Sequence, residues 1–183
     1  MFDLLIYQIC MFQTMVFAGT WDGRIFDVLF VRGTMNSASY QAHVKNVCIP
    51  KLKQENGGSL QGITWQQDGA NIHRNPKFMD YLDKEFDGHV LGLGADLNGR
   101  GGHSWAPRSP DLTVLDFAIW PIMKSRVYLH PRPTTLEELE EKILQVVREL
   151  NEDPDLIRRC HQSVKKRAQL CLENNGSHCE YTK

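Results

Sequence analysis

Two aspartates in this 183-residue chain stand where a carboxylate could do metal chemistry. The first is Asp68, in the run Trp65-Gln66-Gln67-Asp68-Gly69-Ala70, followed by His73. Gly62–Gln67 reads as a short strand, so Asp68 falls where a strand gives way to a loop. Ligands bind at the carboxyl ends of strands in open α/β sheets. A carboxylate fixed there suits Mg2+ or Mn2+, which prefer hard oxygen donors. An Asp that merely starts a turn before glycine gives the same pattern, and both readings stand. The second is Asp116, in Trp105–Trp120 (WAPRSPDLTVLDFAIW). Pro107 and Pro110 stiffen the approach to a helix. Thr113 and Asp116 are spaced as a capping-box pair, and a helix dipole favours acid in a first turn, so Asp116 has an ordinary explanation too. Of the seven histidines, only His73 has a site argument, and a surface or capping role serves it equally well. The glycines of 92–102 lack the strand–GxGxxG–helix context of a phosphate cradle.

The elements that must position these residues follow from pattern. Thr14–Thr20 and Arg24–Val31 are β-branched and aromatic runs joined by Asp22-Gly23, which predicts a hairpin. Asn36 or Ser37 caps a helix running to about Lys51, with Tyr40, Val44, Val47 and Cys48 on one face, and Pro50 is expected to end it. Pro76–Phe86 reads as a helix and Val90–Leu93 as a short strand, with a polar, Gly-rich loop at Gly94–Gly102. Ser109–Tyr128 is largely helical, kinked or ended at Pro121. Thr135–Glu138 is a capping box for a helix with Leu136, Leu139, Ile143, Val146, Val147 and Leu150 on one side. Asp153-Pro154 opens a last helix, apolar at Ile157, Cys160, Val164 and Cys171, which Asn174-Asn175-Gly176 stops. Strands first, mixed elements next and helices last predict a layered α/β or α+β fold with a mixed sheet.

Composition bounds the partners. Apolar residues make up 42% and charged residues 23%, which is normal for a globular chain able to bury a core without disulfides. The net charge of −1 gives no global basic field, so contact with nucleic acid must be local. Arg158, Arg159, Lys165 and Lys166 form one stripe of the last helix, flanked by Arg167. That stripe is either a phosphate track or a solvated face. The five cysteines are scattered with no CxxC, which points to a reducing compartment. Residues 1–18 are apolar, yet Asp3 stands where a signal peptide needs positive charge, and Gln8 and Gln13 interrupt the run. A buried strand or helix is expected there, with no membrane role, and the protein is expected in the nucleus or cytoplasm and not secreted.

The chain resembles the catalytic core of mariner-like transposases, the DDE/D superfamily of cut-and-paste DNA enzymes. Trp65–Ala70 with His73, Trp105–Trp120, Lys124 to Tyr128, Thr134–Leu139 and Cys171–His178 (CLENNGSH) carry the resemblance, in the family's order. The hairpin Met15–Val31 and Tyr40 also fit it. The resemblance implies an RNase H-like α/β fold: a mixed sheet flanked by helices, with a helical C-terminal part and the first strand lacking or replaced. It covers residues 14–181 as a partial catalytic domain, leaving 1–13 as an atypical apolar segment.

It further implies that Asp68 and Asp116 are the second and third catalytic, metal-binding carboxylates, with Asp111 as the fallback ligand. In the family, three carboxylates hold two Mg2+ (or Mn2+) ions, roughly 3.5–4 Å apart, for DNA cleavage and strand transfer. DNA is the implied partner, held by His73, Arg108, Lys124, Arg126, Arg158, Arg159, Lys165 and Lys166. No small-molecule cofactor is expected, and a homodimer is. The interval from Asp68 to Asp116 exceeds the family pattern, with the excess assigned to the Gly94–Gly102 loop. The family's first Asp lies on a strand upstream of the hairpin, behind helix-turn-helix modules, and the chain is expected to be truncated before both. Asp22 lies in the hairpin turn and Asp27 in mid-strand. Asp3 precedes Leu4–Phe12, the one run able to stand in for that strand. A catalytically inactive remnant that binds nucleic acid is therefore the alternative to an enzyme.

Overall fold

The computed structural model describes residues 2–9, 12–106 and 108–179, with side chains described from Thr14 onward. The chain divides into two compact units, one of residues 3–32 with 109–183 and one of residues 33–108.

The first unit is built on a three-stranded sheet in the order β1 (Phe2–Ile9), β2 (Phe12–Trp21), β3 (Arg24–Val31). Phe2–Ile9 of the apolar amino-terminal run is thus a strand hydrogen-bonded beside the hairpin. β2 and β3 pair antiparallel from Met15↔Val31 to Trp21↔Arg24. Asp22 and Gly23 both take positive φ (44° and 77°), as a tight hairpin turn twisted with its strands requires. Val16, Ala18 and Ile25 turn inward onto three helices: α4 (Trp120–Val127), α5 (Leu136–Asn151) and α6 (Pro154–Glu173). α5 presents Leu139, Ile143, Val146, Val147 and Leu150 to this core, as its periodicity predicts. Asn151 ties α5 to β3 by a reciprocal pair: Ile25 N–H donates to Oδ1 (2.8 Å) and Nδ2 donates to the Ile25 carbonyl (3.0 Å). Thr135 caps α5 as expected, but Glu138 reaches back one residue further, to Thr134 N–H (2.6 Å) and hydroxyl (2.8 Å).

The second unit pairs two short parallel strands, β4 (Trp65–Gln66) and β5 (Val90–Leu91), and His103 adds a parallel bridge to Leu91. Its helices are α1 (Ser37–His43), α2 (Ile49–Glu55) and α3 (Pro76–Glu85), the first two joined by a π-helical turn at Val44–Cys48. Asn36 is the N-cap of α1, in a reciprocal box with Ser39. Pro50 does not end the helix. The π turn opens the hydrogen-bond ladder just before it, with Ile49 N–H reaching Val44, and the helix runs on to Glu55. Pro121 follows a second π turn, Leu115–Ile119, in the same way and continues into α4.

The Gly-rich loop is pinned. The Arg100 side chain, 5% exposed, donates Nε to Asp80 (2.8 Å), Nη1 to the Gly94 carbonyl (2.8 Å) and Nη2 to the Pro76 carbonyl (3.1 Å). Among the described residues, no helix is long and apolar enough to cross a membrane.

Candidate functional site

Trp65 and Gln67 are two apart on a strand and so share a face. Both are buried, at 1% exposure. A buried amide must find partners, and Gln67 has four. Its Oε1 accepts from the Tyr40 hydroxyl (2.7 Å) and the Trp65 indole N–H (3.1 Å). Its Nε2 donates to the His73 carbonyl (3.1 Å) and meets Met79 Sδ (3.3 Å). This knot holds the chain both before and after Asp68.

Asp68 is thereby presented at the exit of β4. Its Oδ1 accepts from Ala70 N–H (2.9 Å), an Asx turn, and lies 2.7 Å from His73 Nδ1. Turn formation and an available carboxylate are therefore compatible: both contacts fall on Oδ1, and the side chain is 28% exposed. Burial pushes its pKa up, but the His73 hydrogen bond and charge, the Ala70 N–H and the Arg74 guanidinium together hold it below the ordinary carboxylate range. Arg74 Nε also donates to the Gly69 carbonyl (2.8 Å). His73 is 2% exposed, its ring 4.4 Å from that of Tyr40, and its Nε2 is buried without a hydrogen-bond partner. An ionised oxygen donor on a rigid strand end fits a hard divalent cation.

Gln67 is the residue that motif reading passes over. The signal was present: period two from Trp65 puts a glutamine on the core face, where it must be satisfied.

Asp116 belongs to the first unit, on the π turn Leu115–Ile119, half-buried between Leu115 and Phe117. Val114, not Thr113, stands at the N-cap of this turn. The Thr113 hydroxyl donates to the Ser109 carbonyl (3.3 Å), and Val114 makes no side-chain cap. Asp111, in the 3-10 turn Pro110–Leu112, is 3% exposed. It accepts from Cys179 N–H (2.9 Å) and faces His178 Nδ1 (2.9 Å) and Cys171 Sγ (3.5 Å). Burial raises its pKa, but these bonds outweigh it and bring the carboxyl to about 2. Asp111 knits this turn to the end of α6.

The basic residues divide by environment. Arg158 lies between Asp22 (3.4 Å) and Asp155 (3.3 Å) and holds the hairpin turn to α6. Arg159, Lys165 and Lys166 are exposed on α6, as is Lys124 on α4. Arg126 is half-buried and 4.0 Å from Glu149. Arg108, in the second unit, is exposed at a positive φ of 56°. The structure thus brings Asp68 together with His73, and Asp111 together with the C-terminal turn.

A comparison with protein-family models finds no match, and a comparison with curated proteins finds none either. Solved structures do match. The catalytic domain of Mos1 mariner transposase superposes with a TM-score of 0.77 at 17% identity, over 97% of this chain and 81% of that one. The same domain with raltegravir and Mg gives 0.74 at 15% identity, over 97% and 83%. The mariner Mos1 paired end complex with Mg gives 0.71 at 18% identity, over 94% of this chain and 47% of that longer one. The chain has the fold of a mariner transposase catalytic domain, an RNase H-like α/β architecture with a helical C-terminal part.

Proposed function

We propose that this chain is a transposase-type DNA-processing domain in which Asp68 and Asp116 are the metal-binding carboxylates. The observation that carries this reading is Asp68 itself: an ionised carboxylate, partly exposed at the exit of a strand, with its backbone locked on both sides by Gln67. The likeness in fold to mariner transposase structures, some solved with Mg or Mn, supports it. When bound, Mg2+ or Mn2+ would polarise a phosphodiester and activate the attacking hydroxyl.

The chain's own contribution is positional. His73 hydrogen-bonds Oδ1 of Asp68 and fixes the rotamer. Burial and the Arg74 charge set the electrostatic surroundings. Asp116 offers its carboxylate from the first turn of a helical segment. Lys124, Arg126, Arg108 and the exposed basic residues of α6 hold DNA backbone, while His73, buried beside Asp68, serves through that carboxylate. Arg158, committed to Asp22 and Asp155, contributes least. Action on nuclear DNA as a homodimer belongs to the same reading.

A DNA-binding remnant without turnover is the second reading, and the state of the other acids favours it. Asp22 occupies the hairpin turn against Arg158, and Asp27 is 2% exposed. Asp3, on β1, is the remaining candidate for a third carboxylate.

The test is nicking of supercoiled DNA by the purified chain in Mn2+ or Mg2+. Metal-dependent nicking that falls about 100-fold or more in Asp68→Asn and Asp116→Asn, with melting unchanged, supports the enzyme. The same loss in Asp3→Asn would identify the third ligand. A folded chain that binds DNA and never nicks it leaves the remnant.

A further inference from the structure

At the C-terminal end of α6, three segments of the first unit converge on Asp111. Helix α6 supplies Cys171. After the helix, Asn175 and Gly176 take positive φ (55° and 83°), Gly176 N–H caps the Cys171 carbonyl (2.8 Å), and the chain turns back to bring His178 and Cys179 over the 3-10 turn. A carboxylate oxygen of Asp111 and the sulfurs of Cys171 and Cys179 then lie within 4.8 Å of one another. Asp111 and Cys179 are buried, at 3% and 6% exposure.

We propose that Asp111, Cys171, His178 and Cys179 form a structural Zn2+ site. Three lines of chemistry point to it. Two thiols with an imidazole and a carboxylate select a borderline-soft ion such as Zn2+ over Mg2+. The spacing fits: Cys171 Sγ lies 3.5 Å from Asp111 Oδ2, and the O···S edge of a tetrahedral zinc site is about 3.5 Å. His178 Nδ1 lies 2.9 Å from the other carboxylate oxygen, Asp111 Oδ1, and is the imidazole at hand for the fourth position.

A charge partner is also in place. Two thiolates and a carboxylate around Zn2+ leave one net negative charge. Arg167 Nη1 donates to Cys179 Sγ (3.3 Å) and to the Asp111 carbonyl (3.1 Å), while its guanidinium stacks 4.0 Å over Phe117. N–H donors to ligating sulfur are the usual outer-shell partners of such sites. The ion would fasten the C-terminal turn to the 3-10 turn that precedes the helix carrying Asp116. Ligand identity here is independent of the Asp68 carboxylate and of any nuclease activity.

Titration of the reduced full chain with Co2+ tests this directly. One equivalent should bind with a thiolate-to-cobalt charge-transfer band and tetrahedral visible bands, all removed by Zn2+. Cys171→Ser should lose about half of the charge-transfer intensity, and His178→Ala, at an exposed position, should keep both thiolates while weakening Co2+ binding about tenfold or more. Cys160→Ser should change nothing. Thermal melting of the reduced chain should rise when Zn2+ is added, a readout that needs no variant to fold. A folded, reduced wild-type chain with no charge-transfer band overturns the proposal, as does a band of full strength in a folded Cys171→Ser variant.

Discussion

Gln67 is the single residue on which most of the second unit's buried polarity converges, and the energetics of buried amides set what its loss should cost. Tyr40→Phe removes one donor and leaves the amide with others, so about 1 kcal/mol is expected. Gln67→Leu leaves the Tyr40 hydroxyl, the Trp65 indole N–H and the His73 carbonyl short of a partner, and about 3 kcal/mol is expected. Urea melts of the two variants check the order; a milder Gln67→Leu would mean that the knot is not what fixes the chain around Asp68.

His161 offers a pH handle away from any acid of the candidate site. Its Nε2 is 3.1 Å from the Thr20 hydroxyl, and burial brings its pKa from 6.5 down to about 4. Between those values the unfolded chain binds a proton that the folded chain refuses, so stability is full above about pH 6.5 and falls as pH drops towards 4. The loss is on the order of 2–3 kcal/mol. His161→Gln should flatten that part of the stability–pH curve, as followed by thermal melting across the window.

At the scale of elements, the two prolines share one solution. Pro50 and Pro121 each come two residues after a five-residue π turn, Val44–Cys48 and Leu115–Ile119. A wider turn relieves the clash between a proline ring and the carbonyl one turn back, so the helix survives its proline. The second of these turns also sets the presentation of Asp116. In the Gly-rich loop the constraint is close approach. A Cβ on Gly102 would meet the Val90 carbonyl at 2.6 Å and the Ala95 Cβ at 2.9 Å. Gly102→Ala should therefore cost about 2–3 kcal/mol and loosen the His103 bridge to β5. Gly57, at φ +65° with nothing within 4 Å of its Cβ direction, suffers backbone strain alone. Gly57→Ala should cost about 1 kcal/mol. Equal costs in urea melts would remove the close-approach argument.

At the scale of the molecule, each unit carries its own core. The first packs Val16, Ile25, Leu115, Met123, Ile143 and Ile157 between sheet and helices. The second buries Tyr40, Trp65, Phe78, Leu82 and Phe86. Charge does not draw DNA to the chain as a whole, since the net charge is −1. Under the proposed function, affinity for DNA comes from local groups such as Arg159, Lys165 and Lys166, and its salt dependence counts them. Replacing these three by Ala should lower the slope of log affinity against log salt by about 2–3 units. Arg158→Ala should leave the slope nearly unchanged, because that guanidinium is already engaged by Asp22 and Asp155. Fluorescence anisotropy with duplex DNA at several salt concentrations makes the comparison.

What was legible beforehand was whatever neighbours in the chain decide. The Asp22-Gly23 hairpin, the Asn36, Thr135 and Asp153 caps and the buried stripe of α5 are local matters of turn chemistry and period, and they stand where the pattern puts them. The RNase H-like fold was also readable, through an ordered set of motifs. Contacts between distant segments were not. That Gln67 gathers four partners and that Asp111 meets Cys171, His178 and Cys179 depend on which chain lies alongside, and hydrogen-bond satisfaction in a buried place is settled only when that neighbour arrives.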